Sequence, residues 1–166
     1  MIDELKQIEK LLFEITSSKL SNVIVDAEAK EYFGYNFEHN KQKFKFRKSK
    51  ITPKKVGQFV TLWKRNLSKE TEPFNEIDDF DFYIIFAEEN DNNGFFVFPK
   101  NELINRQILS TKSKEGKRGF RVYPSWTKTG NKQAEKTQSW QISYFIDFSI
   151  NELAINQRLL EIIHYV

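Results

Sequence analysis

RKSKITPKKVGQFVTLWKR, residues 47–65, is the stretch on which the reading of this chain turns. Thr52 is a favourable helix N-cap, and Pro53 suits the first helical position, where its missing N–H is no loss. Val56, Phe59, Val60 and Trp63 follow at i, i+3, i+4 and i+7, which predicts a helix with one buried face. Gly57 inside it lowers helix stability by about 1 kcal/mol relative to alanine, a choice that a close backbone approach would explain. The stretch carries basic residues and no acid. Lys54 and Lys55 fall in the first turn of the expected helix and Lys50 just before it, where the positive helix end normally draws acids. Two readings stand. Free N–H groups and lysines make a phosphate or carboxylate site, or the lysines are solvated and the acidic 70–91 block supplies their partners.

Upstream, YFGYNFEHN (32–40) and KFKFRKSK (43–50) read as two strands joined by a turn around Asn40 and Lys41. In the second strand Phe44 and Phe46 point one way and Lys43, Lys45 and Arg47 the other, which gives a basic outer face. A first helix is expected over about 3–17 from Leu5, Ile8, Leu12 and Ile15. Downstream, DFDFYIIFAEE and GFFVFP form a hairpin across NDNNG, and the unbroken run Phe95 to Phe98 implies a strand covered on both faces. A helix at about 100–108, a short strand GFRVYP and a polar loop TKTGNKQAEKTQ follow. WQISYFIDF reads as a long strand with Trp140, Ile142, Tyr144, Ile146 and Phe148 on one face. Ser149 and Glu152 have the capping-box spacing that opens a last helix. The pattern is α+β: one compact domain over 1–166, with a mixed or mainly antiparallel sheet and helices packed on it.

Sixteen phenylalanines among 166 residues predict a core of large flat side chains. The net charge of +3 says little, but its distribution says more. Residues 41–65 hold ten bases and no acid, 69–91 nine acids and one lysine, and 100–136 ten bases against three acids. Two basic blocks thus flank an acidic one. The absence of cysteine excludes disulfides, thiolate nucleophiles and Cys-type zinc sites. MIDELKQIEKLLFEI is charged and amphipathic, unlike a signal peptide, and no apolar run reaches membrane-spanning length. A cytoplasmic, soluble protein with no membrane partner is expected.

The second basic cluster, GKRGFRVYPSW (116–126), brackets Lys117 and Arg118 between glycines. Arg121 and Tyr123 share one face of the short strand, with Phe120 and Val122 opposite. Arginine can grip phosphate through a fork of donors, and Tyr or Trp can stack on a base. Trp126 is either such a platform or a core plug. If the clusters meet in space, Lys43, Lys45, Arg47, Lys54, Lys55, Lys117, Arg118 and Arg121 make one electropositive surface. Interleaved aromatics then favour single-stranded nucleic acid or RNA. No helix-turn-helix, zinc finger, P-loop or GxGxxG occurs, so sequence-specific duplex reading is not supported. The competing class is an enzyme acting on a nucleotide or phosphorylated substrate, with a nuclease foremost. Its carboxylates would have to be Glu38, Asp79 and Asp81, which form no recognisable motif. His39 and His164 lack metal or triad spacing. No catalytic residue, metal ligand or cofactor is assigned. A third class is a protein-interaction module that uses the basic and acidic faces.

FRKSKITPKKVGQFVTLWKR, GFFVFPK, GKRGFRVYPSW, KTQSWQ and YF, in that order, resemble the MepB-like family of small bacterial proteins. The resemblance covers about residues 32–147. It implies a cytoplasmic bacterial protein of compact α+β fold, for which a nucleic-acid-binding role has been suggested. It brings no catalytic residues to carry over.

Overall fold

The computed structural model describes residues 1–164. Helix α1 (Asp3–Thr16) buries Leu5, Ile8, Leu11 and Leu12 on one face. Strand β1 (Ser21–Val25) and a 3-10 turn (Ala27–Tyr32) lead into the hairpin of β2 (Tyr35–His39) and β3 (Gln42–Lys48). Asn40 and Lys41 make its two-residue turn with φ of 48° and 66°, a left-handed pair that matches the twist of hairpin strands.

The 47–65 stretch is not helical. It forms β4 (Lys50–Thr52), β5 (Lys55–Thr61) and β6 (Trp63–Arg65) after the end of β3. Pro53 and Lys54 turn the chain between β4 and β5, where Thr52 pairs with Lys55. Proline's fixed φ suits the second position of a turn as well as it suits a helix start. Gly57 has φ +83°, incompatible with a helix. Gln58, Val60 and Leu62 are buried while the residues between them are less so, which is the period of a strand. Val56, expected on the buried helix face, is exposed. Valine, threonine and aromatic side chains favour this outcome once a partner strand is present. No helix begins at Thr52, and the anion site founded on its N-terminus falls with it.

Strand β7 (Thr71–Pro73) pairs with β6, and β8 (Phe82–Glu89) with β9 (Asn92–Pro99), the hairpin expected from the sequence. Helix α2 (Lys100–Asn105) and β10 (Gly119–Val122) also lie where expected. The polar loop and the long strand after them are corrected. Residues Lys132–Gln141 form α3, and only Phe145–Asp147 are strand, β11. Asn131 caps α3 by accepting from the Ala134 N–H at 2.8 Å. Ala134 and Gln141, seven apart, bury one face, a single apolar residue that periodicity cannot register. Helix α4 (Glu152–His164) closes the chain. Its cap is Asn151, which accepts from the Ala154 N–H at 2.8 Å, rather than Ser149.

The layers follow from these faces. A six-stranded sheet runs β1-β2-β3-β8-β9-β11, antiparallel except at β3–β8. Phe44, Phe46, Phe82, Ile84, Phe86, Phe95 and Val97 pack on one side with α1 and α4. Tyr83, Ile85, Ala87, Phe96 and Phe98 pack on the other with Val60, Leu62, Phe120 and Val122. That second layer is a three-stranded sheet, β10-β5-β4. The Phe95 to Phe98 run is therefore buried on both faces, as its unbroken apolar character implies. Among the described residues no helix is long and apolar enough to cross a membrane.

Candidate functional site

Pairing of β5 with β10 joins the two basic segments. Phe120 lies opposite Val60, Arg121 opposite Phe59 and Val122 opposite Gln58, which sets Tyr123 beside Gly57. A Cβ on Gly57 would stand 2.6 Å from the Tyr123 ring, so the glycine serves both the positive φ and the seat of the ring. This is the close approach that its place in the sequence called for. The Arg121 guanidinium donates to the carbonyls of Val56 at 3.1 Å and Gly57 at 3.2 Å, and to the Thr52 hydroxyl. It thereby clamps the β4–β5 turn without meeting a carboxylate. On the far side, buried Gln141 accepts from the Tyr123 N–H at 2.8 Å and donates to the Arg121 carbonyl at 2.9 Å, tying α3 to β10.

Between β10 and α3 lies a cavity of about 470 Å³. Lys55, Arg106, Lys117, Arg121, Tyr123 and Trp140 line it, with the cap Asn131 and Gln133 and Thr137 of α3, and among the described residues no carboxylate does. Two further cavities adjoin it. One of about 240 Å³ shares Lys55 and adds Trp126 and Lys128, and one of about 450 Å³ shares Arg106 and Trp140 and adds Lys136 and Tyr144. Together they form a groove lined by six cations. Its two acids are engaged: Glu89 accepts from the Trp126 indole at 3.1 Å, and Glu102 from Arg106 at 2.8 Å and the Tyr144 hydroxyl at 3.2 Å. Among the described residues neither Lys55 nor Lys117 has an ion-pair partner.

The structure sorts the remaining sequence candidates differently. The alternate face of β3, expected to be outer, is covered at Lys45 and Arg47, and only the Lys43 side chain is exposed on it. Arg47 is buried against Asp26 at 3.2 Å and the Thr61 carbonyl at 2.5 Å. Lys45 donates to Asn36 at 3.1 Å and sits 4.3 Å over the Phe74 ring. Desolvation pushes its pKa below the usual lysine value. Lys43 pairs with Asp79. The acidic block neutralises Lys43, Lys48 and Lys64, through Asp79, Glu88, Glu72 and Asp78. Lys54 is exposed at the turn, and Lys50 lies 4.5 Å over the Tyr32 ring. Arg118 bonds the Thr71 carbonyl at 3.0 Å and Glu115 at 3.4 Å. Trp126 packs edge-on against Phe145 at 5.5 Å, a plug that still borders the groove.

Of the carboxylates a nuclease would need, Asp81 accepts the Lys43 backbone N–H at 2.7 Å and Asp79 its ammonium. Among the described residues no three His, Asp or Glu side chains converge as a metal-binding group. The groove residues that sequence reasoning missed are Arg106, Lys128, Lys136 and Trp140. Arg106 lies 4.8 Å over the Trp140 ring. A helical reading of KQAEKTQSWQ from its Asn131 cap would have put Trp140 and Gln141 in the last turn of a helix rather than in a strand.

The family model for MepB-like proteins matches residues 26–147. Among solved structures, a crystal structure of MepB aligns with TM-score 0.79 and 28% identity over 91% of this chain and 100% of that one. A bacterial homing endonuclease aligns with TM-score 0.42 and 15% identity over 84% of this chain and 91% of that one. No curated protein matches.

Proposed function

The chain belongs to the MepB-like family, and we propose that it binds single-stranded nucleic acid, DNA or RNA, in the groove between β10 and α3. One observation carries this reading: cations from two segments about sixty residues apart converge on a groove in which, among the described residues, only Arg106 has a carboxylate partner, Glu102. Folding like charges together without partners is unfavourable, and a bound polyanion relieves that repulsion. Aromatic rings at Tyr123, Trp126 and Tyr144 border the groove, and base stacking on such rings tolerates any sequence. Lys55, Lys117 and Arg121 contact phosphate in this reading, with Lys50, Lys54 and Arg118 adding to the field. Lys43, Lys45 and Arg47 are structural.

Fluorescence anisotropy with labelled single-stranded DNA, RNA and duplex tests it. With about three phosphate contacts, log K falls with log salt at a slope of about −2, so affinity drops roughly twentyfold between about 50 and about 200 mM salt. Lys55→Glu with Lys117→Glu weakens binding by more than about tenfold and leaves the unfolding midpoint in place, since both side chains are exposed. Absence of strand binding at low salt, or unchanged binding by that double variant, sinks the proposal.

A further inference from the structure

Resting on the nucleic-acid reading, and going further, we infer that the central cavity takes a nucleotide bearing a phosphate monoester. Such a group stands at a phosphorylated strand end or on a free nucleoside monophosphate. The groove is not uniform along its length. Glu89 and Glu102 line the two flanking cavities, whereas among the described residues no acid lines the central one. With Arg106 offset by Glu102, Lys55, Lys117 and Arg121 concentrate about three positive charges there. A phosphodiester inside a strand presents one negative charge, while a monoester carries about 1.5 to 2 near neutral pH. The excess of cations at this one place matches the monoester.

Size and lining agree with the charge. About 470 Å³ falls within the usual range for a small-molecule site. Contacts hold parts of the walls: Tyr123 is seated on Gly57, Arg106 lies over Trp140, and Gln141 ties β10 to α3. The Arg121 fork is already oriented by the Val56 and Gly57 carbonyls, which reduces the ordering that binding requires. Asn131, Gln133 and Thr137 supply neutral donors and acceptors for a base edge and sugar hydroxyls. A site for bare phosphate would need neither these groups nor this volume.

The test compares short single strands that differ only at one end, phosphate or hydroxyl, labelled at the other, together with adenosine 5′-monophosphate and inorganic phosphate as competitors. The phosphorylated end binds about tenfold more tightly, adenosine 5′-monophosphate displaces it, and Lys55→Gln with Lys117→Gln abolishes the difference. Equal affinity for the two ends, with strands still bound, overturns the inference and leaves the nucleic-acid reading intact. If adenosine 5′-monophosphate binds and no strand does, the nucleotide site stands and the strand reading falls. Inorganic phosphate competing as well as adenosine 5′-monophosphate overturns the nucleotide assignment. Amide chemical shifts of Gln133 and Thr137 during the titration place the ligand, and shifts confined to other elements also overturn it.

Discussion

Replacing Arg47 by methionine should unfold the protein more easily and leave strand binding alone. Arg47 is 1% exposed. One guanidinium nitrogen donates to the Thr61 carbonyl at 2.5 Å and hydroxyl at 3.0 Å, and the other to Asp26 at 3.2 Å. Breaking a buried pair by removing one partner costs about 3–5 kcal/mol, because the other charge is left uncompensated. Two features place this case at the low end. Asp26 keeps the Glu28 N–H at 3.1 Å, and the Thr61 carbonyl keeps the Tyr83 hydroxyl at 2.7 Å. A loss of about 3 kcal/mol lowers Tm by about 6–12 °C in a domain of this size. Removing the second charge as well, with Asp26→Asn, should recover most of it, since a buried ion pair replaced on both sides is close to neutral. Urea denaturation followed by circular dichroism gives the stabilities, and anisotropy gives the binding. If Arg47→Met melts within about 1 °C of the parent yet loses strand affinity, the buried, structural assignment is wrong and the side chain contacts ligand.

Two further outcomes follow from single contacts. Gly57→Ala forces a side chain into left-handed φ, costing about 1–2 kcal/mol, and pushes the Tyr123 ring off its seat; unchanged stability by urea denaturation would show that neither constraint operates. His39 is buried, its Nε2 lies 2.9 Å from the Thr16 hydroxyl, which itself donates to the Leu12 carbonyl, and its Nδ1 has no partner among the described residues. Desolvation holds its pKa below the ordinary histidine value. The unfolded chain therefore binds this proton first, so stability falls as pH drops through about 6.5 and levels below the folded pKa. The stability difference between the parent and His39→Gln should narrow or reverse between about pH 7.5 and about pH 5.5; a difference independent of pH refutes it.

How much was legible in the chain varied with the range of the interactions involved. Helix α1 and the hairpins β2–β3 and β8–β9 announce themselves, because alternation, turn residues and apolar spacing act between near neighbours. Helix α3 did not, since its hold on β10 runs through Gln141, and on the loop after β10 through Gln138 bonding the Pro124 and Thr127 carbonyls, rather than through an apolar stripe. Of the candidate site, Lys55, Lys117, Arg121 and Tyr123 were identified by charge and residue type and do converge. Lys43, Lys45 and Arg47 had the same appearance and do not join them. A basic residue's role depends on whether a carboxylate reaches it, and Asp26 and Asp79 do so from segments distant in sequence.

Composition and short-range periodicity suffice for the α+β class, a phenylalanine-filled core and the two concentrations of positive charge, and all three are readable from the chain alone. Residues 47–65 lay beyond their reach. Val56, Phe59, Val60 and Trp63 satisfy a helical spacing, while Gln58, Val60 and Leu62 satisfy a strand, and so short a window does not separate the two periods. Strand prevails because β10, about sixty residues further on, supplies the hydrogen-bond ladder for Gln58 to Thr61, while Gly57, at φ +83°, lies outside helical backbone space. That same pairing turned two basic segments into one groove.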